Sequence, residues 1–136
     1  MNNSIRVNCS KKNLKLIRDF VMEHLLTLQL TDIQMNQIVL AVDEICANLI
    51  IHSNHEDPTK HISLAISEQR GIVRFEITDR GMAFKRAEYK EPDLQEHVRV
   101  GKKGGVGLAL VNRIMDKVEF KSMGDKNTCL LYKKIK

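Results

Sequence analysis

Apolar residues recur along the chain with two periods, alternating in some stretches and every three or four positions in others. Residues 4–8, Ser-Ile-Arg-Val-Asn, alternate and predict a short strand. Ser10 then stands where a helix N-cap belongs, and Leu14, Ile17, Val21, Leu25 and Leu28 form a helical stripe to about residue 29. Thr31 or Asp32 can cap a second helix, whose pattern runs through Gln34 to about Ser53. Asn54 to Lys60 contains Pro58 and predicts a turn. Ile62, Leu64 and Ile66 alternate with small polar or short residues, and Gln69-Arg70-Gly71 reads as a hairpin turn. In the next strand, Ile72 to about Asp79, Val73, Phe75 and Ile77 share one face. The same period puts Asp79 in phase with them, so the strand ends by carrying a carboxylate toward the core.

Residues 82–103 break the pattern. They are polar, contain Pro92 and have only weak periodicity, which inside a compact domain marks a functional or mobile segment. Gly101, Gly104, Gly105 and Gly107 close it, and Leu108, Val111, Ile114 and Met115 begin a third helical pattern. Val118 to Met123 and Thr128 to Ile135 predict a closing hairpin around Gly124-Asp125-Lys126-Asn127. The order β-α-α-β-β-loop-α-β-β predicts an α+β fold. It is a two-layer α/β sandwich, with a mixed, mostly antiparallel sheet and three helices on one face. Residues 1–136 read as a single domain.

The second helix carries the first chemical signal. Ile38, Val42, Ile45 and Leu49 face a core, while Glu44 and Asn48, four apart, stack together beside that stripe. His52 continues their line one turn later. Either the acid and amide sit at the wet edge of a core helix, or a ligand satisfies them. The glycine run leads directly into a helix, an arrangement that presents backbone N–H groups to phosphates; the plainer alternative is a hinge. It lacks the Gly-Lys-Ser/Thr of a P-loop, and no parallel strand precedes it as a dinucleotide fingerprint requires. Asp79 can accept from an exocyclic amine such as that of adenine, with Gly81 leaving room for a flat ring; otherwise it is a turn-initiating Asp. Together the three signals describe a nucleotide site in which Asn48 ligates Mg²⁺, Glu44 deprotonates a nucleophile, and residues 82–103 cover the phosphates.

These motifs resemble the GHKL (Bergerat-fold) ATP-binding family, and more narrowly its anti-sigma-factor serine kinases. Glu44-Ile-Cys-Ala-Asn48 is similar to that family's N box, Asp79-Arg-Gly81-Met-Ala-Phe84 to its first glycine box, and Gly104-Gly105-Val106-Gly107-Leu108 to its second. The resemblance implies ATP and Mg²⁺ as cofactors, Glu44 as catalytic base, Asn48 as the Mg²⁺ ligand and Asp79 with Gly81 at adenine. Thr128 would support the base, and Gly104, Gly105, Val106, Gly107 and Leu108 the phosphates. The lid would be 82–104. It also implies a sigma factor and a small anti-sigma antagonist as protein partners, with a homodimer as the assembly. Two departures stand out: Ser53 follows the N-box His where the subgroup has Gly, and Lys102 and Lys103 occupy the neighbourhood of an expected Arg. Lysine keeps the charge without the planar fork of guanidinium. The alternative is a nucleotide-gated binding module that performs no phosphotransfer.

Composition narrows the remaining classes. Cys9, Cys46 and Cys129 are isolated and fit neither a disulfide framework nor a zinc site. No apolar run reaches membrane-spanning length, and the first residues lack a signal peptide's apolar segment, so the expected location is the cytoplasm. The net charge of +5 comes from dispersed lysines and arginines, and with aromatics at 4% there is little to stack on bases. Direct nucleic-acid binding is therefore not expected, and the charge reads as solvated surface with some left for an anionic ligand or acidic partner.

Overall fold

The computed structural model describes residues 3–80 and 104–135; for 104–107 only the backbone is described. Nine elements follow in order: β1 (Ser4–Asn8), α1 (Asn13–Leu25), α2 (Asp32–Asn48), a π-helical turn (Leu49–Ser53), β2 (His61–Gln69), β3 (Ile72–Asp79), α3 (Gly104–Ile114), β4 (Lys117–Met123) and β5 (Lys126–Lys134). The strands form one sheet in the order β1-β2-β3-β5-β4, and each neighbouring pair is antiparallel. The expected mixed, mostly antiparallel sheet is thus antiparallel throughout the described residues. The helices pack side by side with α2 in the middle, between α1 and α3.

The core lies between helices and sheet. Ile62, Leu64 and Ile66 of β2, Val73, Phe75 and Ile77 of β3, and Cys129 and Leu131 of β5 are all buried. They meet Ile17, Val21 and Leu25 of α1, Ile38, Val42 and Ile45 of α2, and Leu108, Val111 and Ile114 of α3. The alternation of each strand and the stripe of each helix therefore point at one another, which is what the period-two and period-3.6 patterns require. Burying these side chains removes apolar surface from water at roughly 25 cal/mol per Å², the main force holding the two layers together.

Local chemistry sets most of the boundaries. Thr31 Oγ1 accepts from the Gln34 N–H at 3.1 Å, and Gln34 Oε1 accepts from the Thr31 N–H at 3.0 Å, a reciprocal capping box that starts α2. Of the two caps the sequence allowed, Thr31 is used. Ser10 does not cap α1; that helix begins at Asn13 behind Lys12, whose side chain makes no capping bond. Asn13 is instead buried, and its amide donates to the Asn8 carbonyl at 3.0 Å, tying the start of α1 to the end of β1. The β2–β3 turn needs two residues only, Arg70 (φ 54°) and Gly71 (φ 78°). Two consecutive positive φ values are those of a type I′ turn, whose twist suits the flanking strands.

Replacing Thr31 by Ala removes half of the capping box. The expected loss of stability is about 1 kcal/mol, read as a lower urea midpoint with an unchanged slope; a midpoint equal to wild type would mean that the cap contributes nothing.

Candidate functional site

Helix α2 does not stop at Asn48. It widens into a π turn, in which the Asn54 N–H reaches back to the Leu49 carbonyl at 2.9 Å, five residues earlier. Such turns insert one extra residue into a helix and often sit at functional sites. Leu49 and Ile50 keep their side chains buried through the turn, and Asn54 follows them inside at 1% exposure. The Asn54 amide nitrogen then donates twice, to the Leu49 carbonyl at 2.8 Å and to Asp79 Oδ2 at 3.0 Å. Both of those partners are acceptors, so the amide orientation is settled by its surroundings. Asn54 Oδ1 is buried and accepts no hydrogen bond from the described residues.

Asp79 is 2% exposed, on the core side of the last residue of β3, as its phase with Val73, Phe75 and Ile77 predicts. Its register partner on β5 is Asn127, which is fully buried, and Asn127 Oδ1 accepts from Ser122 Oγ at 2.6 Å. Asn54, Asp79 and Asn127 thus make up most of the buried polar residues of the described chain, and two of them bracket one strand end. Cys9 is buried close by. Its thiol is pushed up to about 11 by burial first, then by the Asp79 and Asp57 carboxylates. That makes it an inert packing group rather than a nucleophile.

Glu44 and Asn48 are half-buried, one turn apart on α2. Burial first, and the neighbouring Asp43 carboxylate second, raise the Glu44 carboxyl above its ordinary value of 4.5. Asp43 itself is bridged to Arg18 of α1 at 3.0 Å. At ~1.5 Å per residue, Glu44 lies about 15 Å before Asn54 along the helix, so the acid and the Asp79 clamp stand at two well-separated stations of one helix. His52 is exposed in the π turn. Gly104, Gly105, Val106 and Gly107 form the first turn of α3, and Leu108 is buried in the core. The glycine run is therefore itself a helix N-terminus, four residues earlier than the apolar pattern places it. Gly81, Lys102, Lys103 and the lid through residue 103 lie outside the described residues.

Thr128 does not join this group. It pairs with Thr78, not with Asp79, so it belongs to the opposite face of the sheet. The hairpin turn is shorter than expected: β4 ends at Met123 and β5 starts at Lys126. Lys126 and Asn127 are strand residues, and period two then sends Asn127 inward and Thr128 outward. Asn54 and Asn127 are buried polar neighbours of Asp79 that the sequence reading does not single out. Both were assigned to turns, where asparagine is common. No group of three or more His, Cys, Asp or Glu side chains able to hold a metal occurs among the described residues. Nor is any described helix long and apolar enough to cross a membrane.

Two outcomes follow from this geometry. Asn54→Ala removes both amide bonds and leaves a buried carboxylate oxygen short of a donor, for an expected loss of about 1–3 kcal/mol in urea unfolding; a loss below about 0.5 kcal/mol would show that the clamp is not structural. Glu44→Gln acts through pH. A carboxyl with raised folded affinity keeps its stability contribution below the unfolded value and loses it as pH rises through the folded value. Glutamine has no such loss. Its advantage over wild type should be near zero at about pH 4 and grow toward about pH 7, and a constant difference across that range would contradict the raised affinity.

Comparison with known proteins places this geometry. Residues 7–134 match the family described as Histidine kinase-like ATPase domain. Over 91 residues the chain is 34% identical to Serine-protein kinase RsbW of Halalkalibacterium halodurans, covering 64% of this chain and 55% of that protein. It is 26% identical over 101 residues to Anti-sigma F factor of Geobacillus stearothermophilus, covering 74% of this chain and 69% of that protein. The chain thus matches only about half the length of the first of these relatives. Among solved structures, the RsbU and RsbW domains of a Mycobacterium tuberculosis protein superpose with a TM-score of 0.66 at 16% identity, covering 97% of this chain and 31% of that one. A mycobacterial sensor histidine kinase, MprB, superposes at 0.58 and 12% identity over 98% of this chain and 97% of its own. At these identities the structural likeness speaks for the fold alone. With the family's pattern running from β1 to the end of β5, the chain belongs to the histidine kinase-like ATPase domain family.

Proposed function

We propose that the chain is an ATP-dependent protein-serine/threonine kinase of the anti-sigma-factor type. It would bind a sigma factor and phosphorylate a serine on a small antagonist protein. The observation that carries this reading is the single helix α2, which holds Glu44 and Asn48 at its rim and, through its π turn, clamps Asp79 at the end of β3. Family membership supports ATP as the nucleotide. The names of the relatives, a serine-protein kinase and an anti-sigma factor, support the substrate class and the partners.

The residues fit ATP. Asp79 accepts from the adenine amino group, and the open acceptor Asn54 Oδ1 offers a second buried polar contact on the same side. Asn127, inward beside Asp79, takes the supporting place first expected of Thr128. The helix N-terminus at Gly104–Gly107 favours the phosphates through its free N–H groups and dipole, while Leu108 anchors that helix in the core. Mg²⁺ fits as well: it takes few protein ligands and completes its shell with phosphates and water. Asn48 would supply the amide oxygen, and the metal would neutralise phosphate charge. Glu44 accepts the proton of the antagonist's hydroxyl as that oxygen bonds to the γ-phosphorus and ADP departs. A half-buried carboxyl with raised proton affinity is suited to this, because it is a stronger base than an exposed one. Lys102 and Lys103 would place positive charge near the γ-phosphate, and Gly81 would leave room beside adenine. A homodimer in the cytoplasm belongs to the same reading.

The test is labelled ATP with a candidate antagonist protein, together with nucleotide titrations with and without Mg²⁺. Wild type should label serine on the antagonist. Glu44→Gln should keep nucleotide affinity within about threefold and lose phosphotransfer by 10²-fold or more, in the range of about 10²–10⁴ for general-base removal. Asp79→Asn should weaken binding with or without metal, and Asn48→Ala only in its presence. Undiminished labelling by the Glu44 variant would remove that residue from the chemistry. Tight nucleotide binding with no transfer to any antagonist would favour the gated binding module.

A further inference from the structure

The helix-free face of the sheet holds a feature that the nucleotide site leaves unused. Register aligns Arg6, Ser63, Thr78, Thr128 and Lys121 in one row across β1, β2, β3, β5 and β4. The three central members carry short hydroxyl side chains, and the two ends are cations. A cavity of ≈ 560 Å³ opens over the β1–β3 half, lined by Arg6, Lys60, Ser63, Thr78 and Lys126 among others, with Asp79 as its one acid. A smaller one of ≈ 210 Å³ opens over the other half, lined by Lys121, Lys126 and Thr128 with Arg74 and Glu76. Lys126 lines both, so the two adjoin along the row and together make a trough with Lys126 at its middle. The acids nearby offset this charge only in part: Asp79 is 2% exposed at the cavity's edge, and Glu119 and Asp57 act on Lys121 and Lys60 from a distance. Asp125 is bridged to Arg80 at 3.2 Å and Glu119 to Lys117 at 3.3 Å, while Glu76 lies half-buried in the next row. None of Arg6, Lys60, Lys121 and Lys126 is in an ion pair among the described residues.

We propose that this hydroxyl-floored, cation-rimmed trough docks an extended acidic segment of a partner protein. Five strands at about 4.8 Å spacing make the row about 19 Å long, which an extended chain covers in about six residues. Carboxylates at the two ends of such a segment would meet Arg6 and Lys121, with Lys126 between them. Hydroxyls in the floor can both donate and accept, so they serve the segment's backbone or its carboxylates. A nucleic acid fits less well. Tyr132 on this face already lies under the Lys117 ammonium, 5.6 Å from its centroid, and the floor offers no flat surface for bases. A second copy fits poorly too, because stacking two such faces would set cation against cation. The proposal rests on residues that the kinase reading does not use, Arg6, Lys121 and Lys126; of the nucleotide-site residues only Asp79 borders the cavity.

The test is fluorescence anisotropy of a labelled octaglutamate peptide and of a labelled deoxythymidine decamer, at low and at physiological salt. Wild type should bind the peptide more tightly than the decamer, and binding should weaken with salt. Arg6→Glu/Lys126→Glu should lower peptide affinity by about tenfold or more, since each reversal replaces an attraction with a repulsion. Lys121→Glu alone should lower it less, by about threefold. The matched control Lys12→Glu/Lys15→Glu, at exposed positions just before and in the first turn of α1, makes the same change in net charge and should shift it by less than about twofold. Unchanged nucleotide affinity and thermal unfolding would show the variants to be folded. Equal losses in trough and control variants would overturn the proposal in favour of a diffuse field. No peptide binding, or tighter binding of the decamer, would also overturn it.

Discussion

A carboxylate inside a protein core is tolerated only where something donates to it. One donor here is the Asn54 amide, 3.0 Å from Asp79, and its position depends on the π turn that ends α2. That one bond joins the central helix to the central strand. It fixes the polar end of β3 relative to the helix that carries Glu44 and Asn48. Without the extra residue of the π turn, continued α-helical winding would bring Asn54 out at a different angle about the axis. The wide turn is therefore the device that converts a regular helix into two stations, an acid-amide rim upstream and a buried clamp downstream.

The two stations have opposite dielectric surroundings. Asp79 is 2% exposed and bonded to the Asn54 amide, a setting in which a hydrogen bond is electrostatically stronger and an unmade one more damaging. Glu44 sits at the rim, desolvated enough to raise its proton affinity yet still reached by water. A recognition group gains from the first setting, because a ligand lacking the matching donor leaves it unsatisfied. A proton acceptor gains from the second, because it must bind and release its proton in each cycle. One helix supplies both settings because Glu44 and Asn54 stand about 15 Å apart along it.

Much of this was legible in the sequence, and what escaped has a common cause. The apolar stripe Ile38, Val42, Ile45 and Leu49, the alternation Val73, Phe75, Ile77, and the inward phase of Asp79 all follow from periodicity, and each is buried as expected. The type of each element and its order were equally readable. Boundaries were not. The reading of Asn54 and Asn127 as turn residues followed asparagine's general preference, while packing put both in the core. With Lys126 and Asn127 inside β5, the register sets Asn127 opposite Asp79 and Thr128 opposite Thr78, and successive strand residues face opposite sides of the sheet. The π turn left no periodic signature, because a single inserted residue is too brief to register against a stripe of this length. The capping box at Thr31, by contrast, is a local motif and could be read directly.

The same alternation that hides Asp79 exposes its neighbour. Thr78 and Asp79 are consecutive, so β3 turns one polar group to the helices and the next to the bare face of the sheet. Inside, the partners are neutral amides, which hold a carboxylate without cancelling its charge. Outside, they are hydroxyls ringed by cations. An anion seated outside would lie across one strand from a fixed negative charge within, and the two would repel through the sheet. That repulsion is weak where water screens it and stronger where it does not. Any occupant of the outer trough is therefore bound by Arg6, Lys121 and Lys126 against a small opposing field from Asp79.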